Sequence, residues 1–241
     1  MWNYLLAGAL ADEVTEAATE TAVETVEAAA ETAPSWGQEL VEKFIETPAT
    51  VWIIILVISA FALAFLVIRR TSRQWTAKTV AYGALCIALS FVLSCFRLFR
   101  MPQGGSVTPG SMLPMMLFSA AFGVGPGLLA GLTYGVLQYF QGGWFANVWQ
   151  FSLDYLLAFA ALGLAGLAKQ FPKKWGLYLA MVIAALARAL SATLAGIMFW
   201  DTAPWASLVY NGTYLIPDTL ICILLALVIG ERLMKLMRSD R

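Results

Sequence analysis

The chain contains no histidine, which removes the side chain that proteins use most often as a metal ligand or a general base. Its three cysteines, Cys86, Cys95 and Cys222, all lie within apolar runs, where small core residues are more common than disulfide or metal partners. Also missing are the Gly-x-x-x-x-Gly-Lys-Ser/Thr phosphate loop, the His-Glu-x-x-His and Cys-x-x-Cys pairs, and the Gly-x-Ser-x-Gly turn. We therefore predict that the protein is not an enzyme, needs no cofactor and does not hydrolyse ATP itself.

Charge is also scarce, because charged residues make up 12% of the 241 residues and hydrophobic residues 60%. Several apolar runs approach the roughly 20 residues that a helix needs to cross the hydrocarbon of a bilayer, and they are apolar almost all round. This pattern predicts an all-α polytopic membrane protein. The predicted spans are Val51 to Ile68, Ala77 to Phe96, Met112 to Phe122, Gly127 to Phe140, Trp149 to Leu167, Leu177 to Trp200 and Leu208 to Ile229.

The few acidic residues are concentrated at one end of the chain. Ten of the fifteen precede Val51, whereas the rest of the chain carries fourteen lysines and arginines against five acids. Glutamates between Glu13 and Glu31 recur every three or four residues, and like charges at that spacing repel on a helix. We expect residues 1–50 to be a flexible acidic segment, and residues 51–75 to be an extra transmembrane helix with a basic cytoplasmic linker.

Basic clusters predict the orientation of the spans, since loops rich in lysine and arginine stay in the cytoplasm. An even number of predicted spans separates these clusters, so the assignment is self-consistent. It leaves the amino terminus outside and the carboxyl terminus in the cytoplasm, and it puts Arg97 and Arg100 at the outer mouth. The clusters are Arg69, Arg70, Arg73 and Lys78, then Lys169, Lys173 and Lys174, and finally Arg232, Lys235, Arg238 and Arg241.

Glycines recur every fourth residue at positions 123, 127, 131 and 135, across a predicted tight hairpin at residues 123–126 and along the span that follows. Small residues at this spacing let helices approach closely in a membrane, where lipid supplies no hydrophobic drive between them. We interpret the stripe as a packing surface, with a moving helix interface as the alternative.

An acidic residue, Asp154, lies in the middle of a predicted span. On a translocon scale such a group costs about 2.5 to 3.5 kcal/mol at mid-membrane, so by default it faces the bundle interior and a cation, proton or polar ligand. Gln150 lies four residues earlier on the same helix face, and Trp144 and Asn147 precede that helix. Carboxylate, amide and indole together indicate a site for a flat, cationic small molecule. An interhelical hydrogen bond for Gln150 and a membrane-interface position for Trp144 are the alternatives.

A second group of aromatic and amide residues surrounds the loop before the last span, from Phe199 and Trp200 to Tyr210, Asn211 and Tyr214. Two further charges, Arg188 and Asp218, fall within predicted spans. They could pair with each other or, less readily, serve the same site.

From about Thr76 onward the chain resembles the thiamine-specific S component of energy-coupling factor (ECF) vitamin transporters. Four stretches carry this resemblance, in the order and with the separation found in that family. They are Met101-Pro102-Gln103-Gly104-Gly105-Ser106-Val107, Gln150-x-x-Leu153-Asp154-Tyr155, Ala195-Gly196-Ile197-Met198-Phe199-Trp200 and Tyr210-Asn211-x-Thr213-Tyr214.

The resemblance implies a six-helix S-component core at residues 76–241 that binds thiamine near the outer surface of the bacterial plasma membrane. The thiamine-binding roles carry over to Asp154, Tyr155, Trp200 and Asn211, and Gln150, Trp144 and Tyr210 are added as further ligand contacts. The partners implied are a membrane-coupling subunit, docked through Ala84-x-x-x-Ala88, and two ATPase subunits that use ATP. No nucleic acid partner is expected.

The chain departs from the family pattern at several positions. Asp154 stands where the family usually has glutamate, and Ala192 stands where many members have a histidine. The alternatives are therefore an S component for another flat vitamin or a thiamine precursor, or, from other classes, a membrane enzyme or a scaffold whose charges only pair internally.

Overall fold

The computed structural model describes residues 58–59, 61–62, 66, 76–102, 104–172, 175–200 and 202–239. The acidic segment 1–50, the linker and most of the predicted first span lie outside the described residues, so the assignment of these regions remains a prediction. Within the described ranges from residue 76 onward the chain is mainly helical. The helices are α1 (Ala77–Cys95), α2 (Leu113–Phe122), α3 (Val124–Phe140), α4 (Val148–Gln170), α5 (Gly176–Phe199) and α6 (Pro204–Arg238).

Four of these helices, α1, α4, α5 and α6, are long and apolar enough to cross a membrane. This confirms the predicted all-α polytopic class. The sequence pattern missed a short antiparallel ladder in the loop after α1, formed by β1 (Phe99–Arg100) and β2 (Ser106–Val107). The ladder folds the motif around Gly104 and Gly105 back over the end of the helical bundle.

The helix α2 is too short to cross a bilayer, because ten residues span only about 15 Å against a hydrocarbon thickness of about 30 Å. All ten of its residues are buried inside the protein. The neighbouring helices therefore shield α2 from lipid, as a short span requires.

The break between α2 and α3 is shorter than the four-residue hairpin predicted from the sequence. Gly123, with φ +109°, is the residue that ends α2 and precedes α3, and Val124 already begins the next helix. A positive φ is readily adopted only by glycine, so one residue suffices to reverse the chain. The last helix also extends beyond its predicted end at Ile229, through Arg238.

The glycine stripe of α3 packs directly against α4. A Cβ atom added at Gly131 would lie 2.4 Å from the Phe159 carbonyl oxygen, and one at Gly135 would lie 2.4 Å from the Tyr155 carbonyl oxygen. Such distances leave no room for a side chain. The close approach supports the packing interpretation of the stripe and fixes the position of α4, the helix that carries Asp154.

The two ends of the bundle differ in the side chains that gather there. At one end Arg238 donates a 2.9 Å hydrogen bond from Nη2 to the carbonyl oxygen of Ala120, near the carboxyl end of α2. At the other end, the loop carrying β1 and β2 lies against α6, where Gly105 N donates to Tyr210 Oη at 3.1 Å. The candidate site lies at this second end.

Candidate ligand-binding site

A cavity of about 510 Å³ lies at the end of the bundle where the β1–β2 loop covers the helices. The loop, α3, α4, α5 and α6 all contribute to its wall. Every ligand contact expected from the sequence lines this one cavity, although the residues come from three separate stretches of the chain. They are Trp144, Gln150, Asp154, Tyr155, Trp200, Tyr210 and Asn211.

The carboxylate of Asp154 lies on a π-helical turn, Ser152–Leu157, within α4. Single π-turns inside α-helices occur frequently at functional sites, since they change the direction of the side chains that follow. The turn is preceded by a well-formed helix start, in which the Asn147 side chain accepts hydrogen bonds from the backbone N–H groups of Trp149 and Gln150. The helix that presents Asp154 is therefore fixed one turn before the carboxylate.

Two donors hold the same oxygen of Asp154. Gln150 Nε2 donates to Oδ2 at 2.6 Å, and Trp200 Nε1 approaches Oδ2 at 3.4 Å. Gln150 is completely buried, and its Oε1 accepts from Ala146 N at 3.1 Å. Among the described residues Oδ1 has no hydrogen-bond donor and the carboxylate has no cationic partner, so one charged oxygen is left for a ligand.

Aromatic rings surround the mouth of the cavity. The indoles of Trp144 and Trp200 meet edge to face, with ring centroids 6.2 Å apart and planes at 82°. Tyr155 Oη accepts a 2.9 Å hydrogen bond from Trp144 N, which ties the loop before α4 to the helix itself. A flat cation entering beside Asp154 would meet ring faces, which attract positive charge.

The wall formed by α6 is already hydrogen-bonded. Asn211 Nδ2 donates to the Ser207 carbonyl oxygen at 2.9 Å, and Asn211 Oδ1 accepts from Tyr214 Oη at 2.7 Å. Tyr210 Oη accepts from Gly105 N, and among the described residues no acceptor binds its hydroxyl hydrogen. Asn211 therefore lines the cavity with its amide engaged by neighbours, whereas Tyr210 retains a donor for a ligand.

The intramembrane charges Arg188 and Asp218 both line the cavity, but each has its own partner. Asp218 Oδ1 accepts from Thr108 N at 3.1 Å and from Thr108 Oγ1 at 2.7 Å. The guanidinium carbon of Arg188 lies 4.3 Å from the centroid of the Phe159 ring. Within the described ranges no ion pair joins the arginine to the aspartate.

Sequence reasoning missed a polar network on the wall formed by α1 and α3. Gln138 Nε2 donates to Ser94 Oγ and to Tyr134 Oη, both at 2.8 Å, and Tyr134 Oη donates to the Ser90 carbonyl oxygen at 3.1 Å. The spacing of Tyr134 and Gln138, four residues apart in an apolar span, was a signal for a shared polar face. In the part of the chain that the structure describes, no three histidine, cysteine or acidic side chains converge on a metal position.

The predicted docking motif lies away from the cavity. Ala84 and Ala88 are both exposed on α1, as are the neighbouring residues Leu85 and Leu89. The motif is thus accessible on one face of that helix. Its use as a docking surface remains a prediction.

Comparisons with known proteins identify the family. Residues 80–238 match the family described as thiamine transporter protein. The thiamine transporter ThiT of Bacillus subtilis (strain 168) is 32% identical over 177 residues, which are 66% of this chain and 91% of that protein. A solved structure of ThiT from Listeria monocytogenes superposes with a TM-score of 0.57 at 24% identity, and the match covers 66% of this chain and 96% of that one. This likeness shows that the two chains share a fold. The chain belongs to the thiamine transporter family.

Proposed function

We propose that the protein binds thiamine in the cavity beside Asp154 and takes part in thiamine uptake as the substrate-specific S component of an ECF transporter. The observation that carries the proposal is Oδ1 of Asp154, to which no described residue donates a hydrogen bond, in a cavity whose mouth is framed by Trp144 and Trp200. Thiamine matches this site because its thiazolium ring is flat and permanently cationic.

Each predicted contact has a role that its geometry allows. Asp154 faces the thiazolium charge, Gln150 orients the carboxylate, and the indole of Trp200 stacks on or beside the cationic ring. Tyr155 and Trp144 are hydrogen-bonded to each other at the mouth of the cavity, while Tyr210 supplies a hydroxyl on the facing wall, which Asn211 also lines. No step of this scheme changes a covalent bond in the ligand.

The orientation proposed for the bundle places the cavity at the outer surface and the basic residues Lys169 and Arg238 in the cytoplasm. Thiamine then enters from outside. Because the sequence has no phosphate-binding loop, transport needs partner ATPases, and we propose that a membrane-coupling subunit docks on the exposed face around Ala84 and Ala88.

Isothermal titration of the detergent-purified full chain with thiamine tests the binding proposal. We expect saturable heat at one site, accompanied by quenching of tryptophan fluorescence. Riboflavin and isolated pyrimidine fragments serve as competitors, because an S component for another flat vitamin would prefer one of them. Absence of saturable binding at micromolar thiamine would refute the proposal.

A further inference from the structure

The described part of the predicted first span touches the helical bundle through Phe61. Five residues of this span are described, and all five are helical. Among them Phe61 is partly buried, whereas the other four are exposed, and these are Ile58, Ser59, Ala62 and Leu66. The Phe61 side chain packs against an apolar cluster whose buried members are Leu153 of α4 and Ala195 of α5. The span therefore meets the bundle where α4 and α5 lie side by side.

This cluster, which we name the α4–α5 seam, forms because each helix presents an apolar stripe. Side chains three or four residues apart share one face of a helix. The stripe of α4 is Trp149, Leu153 and Leu157, and that of α5 is Ala195, Met198 and Phe199. Because lipid supplies no hydrophobic drive between helices, a span stays against a bundle only where side chains pack closely. The seam provides such a surface for Phe61.

The α4 side of the seam adjoins the turn that presents Asp154. Leu153 is only 1% exposed, and it directly precedes Asp154 on the same π-helical turn. In addition, Ser191 Oγ of α5 donates a 2.7 Å hydrogen bond to the Leu153 carbonyl oxygen. Since the two residues are consecutive in one turn, a change in the packing of Leu153 moves the carboxylate beside it.

The seam and the predicted docking motif use different helices of the bundle. The helix α1 packs against α2 and α3, whereas Phe61 packs against α4 and α5. In the part of the chain that the structure describes, Ala84 and Ala88 of α1 stay exposed. Contact of Phe61 with the seam is therefore compatible with docking of a partner on α1.

Resting on the proposed function for the identity of the ligand, we propose that the amino-terminal span is an accessory helix that docks on the α4–α5 seam and positions Asp154. Phe61 is the positioning residue, because it packs on the cluster that surrounds Leu153. The six-helix core implied by the family resemblance begins at residue 76, so this helix adds a support that the core lacks. The occupant of the seam is thus a segment of the same chain.

Photo-crosslinking of the full chain in membranes tests the docking. Benzoylphenylalanine, which attaches to nearby C–H bonds on irradiation, replaces Phe61 or, as the matched control, Ile58, which is 56% exposed. Mass spectrometry of the digested protein then identifies the attached peptides. We expect the probe at position 61 to attach within the chain to peptides that contain Leu153 or Met198, and the probe at position 58 to attach to them much less.

Two other results of this experiment would overturn the docking. Attachment to a second copy of the chain, seen as a product of twice the mass, would show that the span packs between molecules. Attachment to lipid alone would show that the seam does not hold the span. Both results are independent of any ligand.

Titration calorimetry with thiamine tests the positioning of the carboxylate. We expect Phe61→Ala to weaken thiamine binding about threefold to thirtyfold, the range found for coupling through packed side chains. Phe61→Leu, which keeps an apolar side chain, should recover part of the affinity. Ile58→Ala is the matched control and should bind as the unmodified protein does. Thermal unfolding of each variant checks that the fold is retained.

A double-mutant cycle separates positioning from general support of the fold. If Phe61 acts through the carboxylate, Phe61→Ala should lose much less affinity in an Asp154→Asn background than in the unmodified protein. Equal losses in the two backgrounds, or unchanged affinity in folded Phe61→Ala, would overturn the positioning role. If the alanine variant does not fold, Phe61→Leu carries the same comparison. Failure of the unmodified protein to bind thiamine would instead refute the proposed function, and the cross-linking would still decide the docking.

Discussion

Gln150 Nε2 and Asp154 Oδ2 are joined by a 2.6 Å hydrogen bond across one turn of α4. Because Trp200 Nε1 approaches the same oxygen, both internal donors lie on one side of the carboxylate. In the described part of the chain no group donates to the other oxygen, so the carboxylate keeps an acceptor atom and its charge on the side of the cavity. The two neutral donors fix the position of the carboxylate and leave its negative charge unchanged.

The first prediction concerns the charge at this position. Asp154→Asn keeps the size of the side chain and removes the negative charge. Thiamine should therefore bind at least about tenfold to a hundredfold more weakly. Titration calorimetry measures the change. Asp218→Asn serves as the comparison, since that carboxylate is bonded to Thr108, and its effect should be on thermal stability. Equal thiamine affinity in Asp154→Asn and the unmodified protein would contradict the role of the charge.

The second prediction separates two contributions of Trp200. Trp200→Phe keeps an aromatic face but loses the N–H group that approaches Asp154, whereas Trp200→Ala loses both. A cation–π contact is worth about 0.5 to 2 kcal/mol, so the alanine variant should bind thiamine up to about thirtyfold more weakly. The affinity of the phenylalanine variant should lie between those of the alanine variant and the unmodified protein. Fluorescence quenching by thiamine should also decrease in both. If the two variants lose affinity equally, the ring face contributes nothing.

The third prediction tests the packing of α3 against α4. Gly131→Ala would place a Cβ atom 2.4 Å from the Phe159 carbonyl oxygen and 2.8 Å from the Ala160 Cα atom, both backbone atoms that cannot turn aside. The helices must separate, which should lower the unfolding temperature and weaken thiamine binding together. Gly212→Ala is the matched control in a helix, because its nearest neighbour is the flexible end of Ile216 at 3.6 Å. Similar unfolding temperatures for the two variants would show that the close approach is not required.

The fourth prediction tests the proposed orientation. Cys95 is exposed at the cavity end of α1, while Cys86 and Cys222 are buried. A membrane-impermeant maleimide added to intact cells should therefore label Cys95 and leave the other two unmodified. Cys95→Ser should abolish labelling. Labelling that appears only after the cells are opened would indicate the opposite orientation.

Local features of the site could be predicted from the sequence because they depend on helical spacing alone. Gln150 and Asp154 lie four residues apart, so a single helix turn brings them together wherever the helix packs. The apolar runs likewise predicted the spans, since bilayer thickness sets their length. The resemblance to a vitamin-transporter family points to the same part of the chain, because its motifs include Asp154, Tyr155, Trp200 and Asn211.

Contacts between distant parts of the chain could not be predicted in this way. The bonds from Thr108 to Asp218 join residues 110 positions apart, so no spacing along one helix could predict them. The β1–β2 ladder was missed because two-residue strands produce no periodic pattern.

The sequence by itself determined that this chain crosses a membrane, which helix faces carry polar groups, and which residues are candidates for binding a flat cation. Only the tertiary structure decided which oxygen of Asp154 accepts the bonds from Gln150 and Trp200, and that Thr108 bonds to Asp218. The physical reason is that hydrophobic periodicity specifies one helix at a time. The pairing of buried polar groups instead depends on how closely the helices pack, as the contact of the α3 glycines with α4 shows.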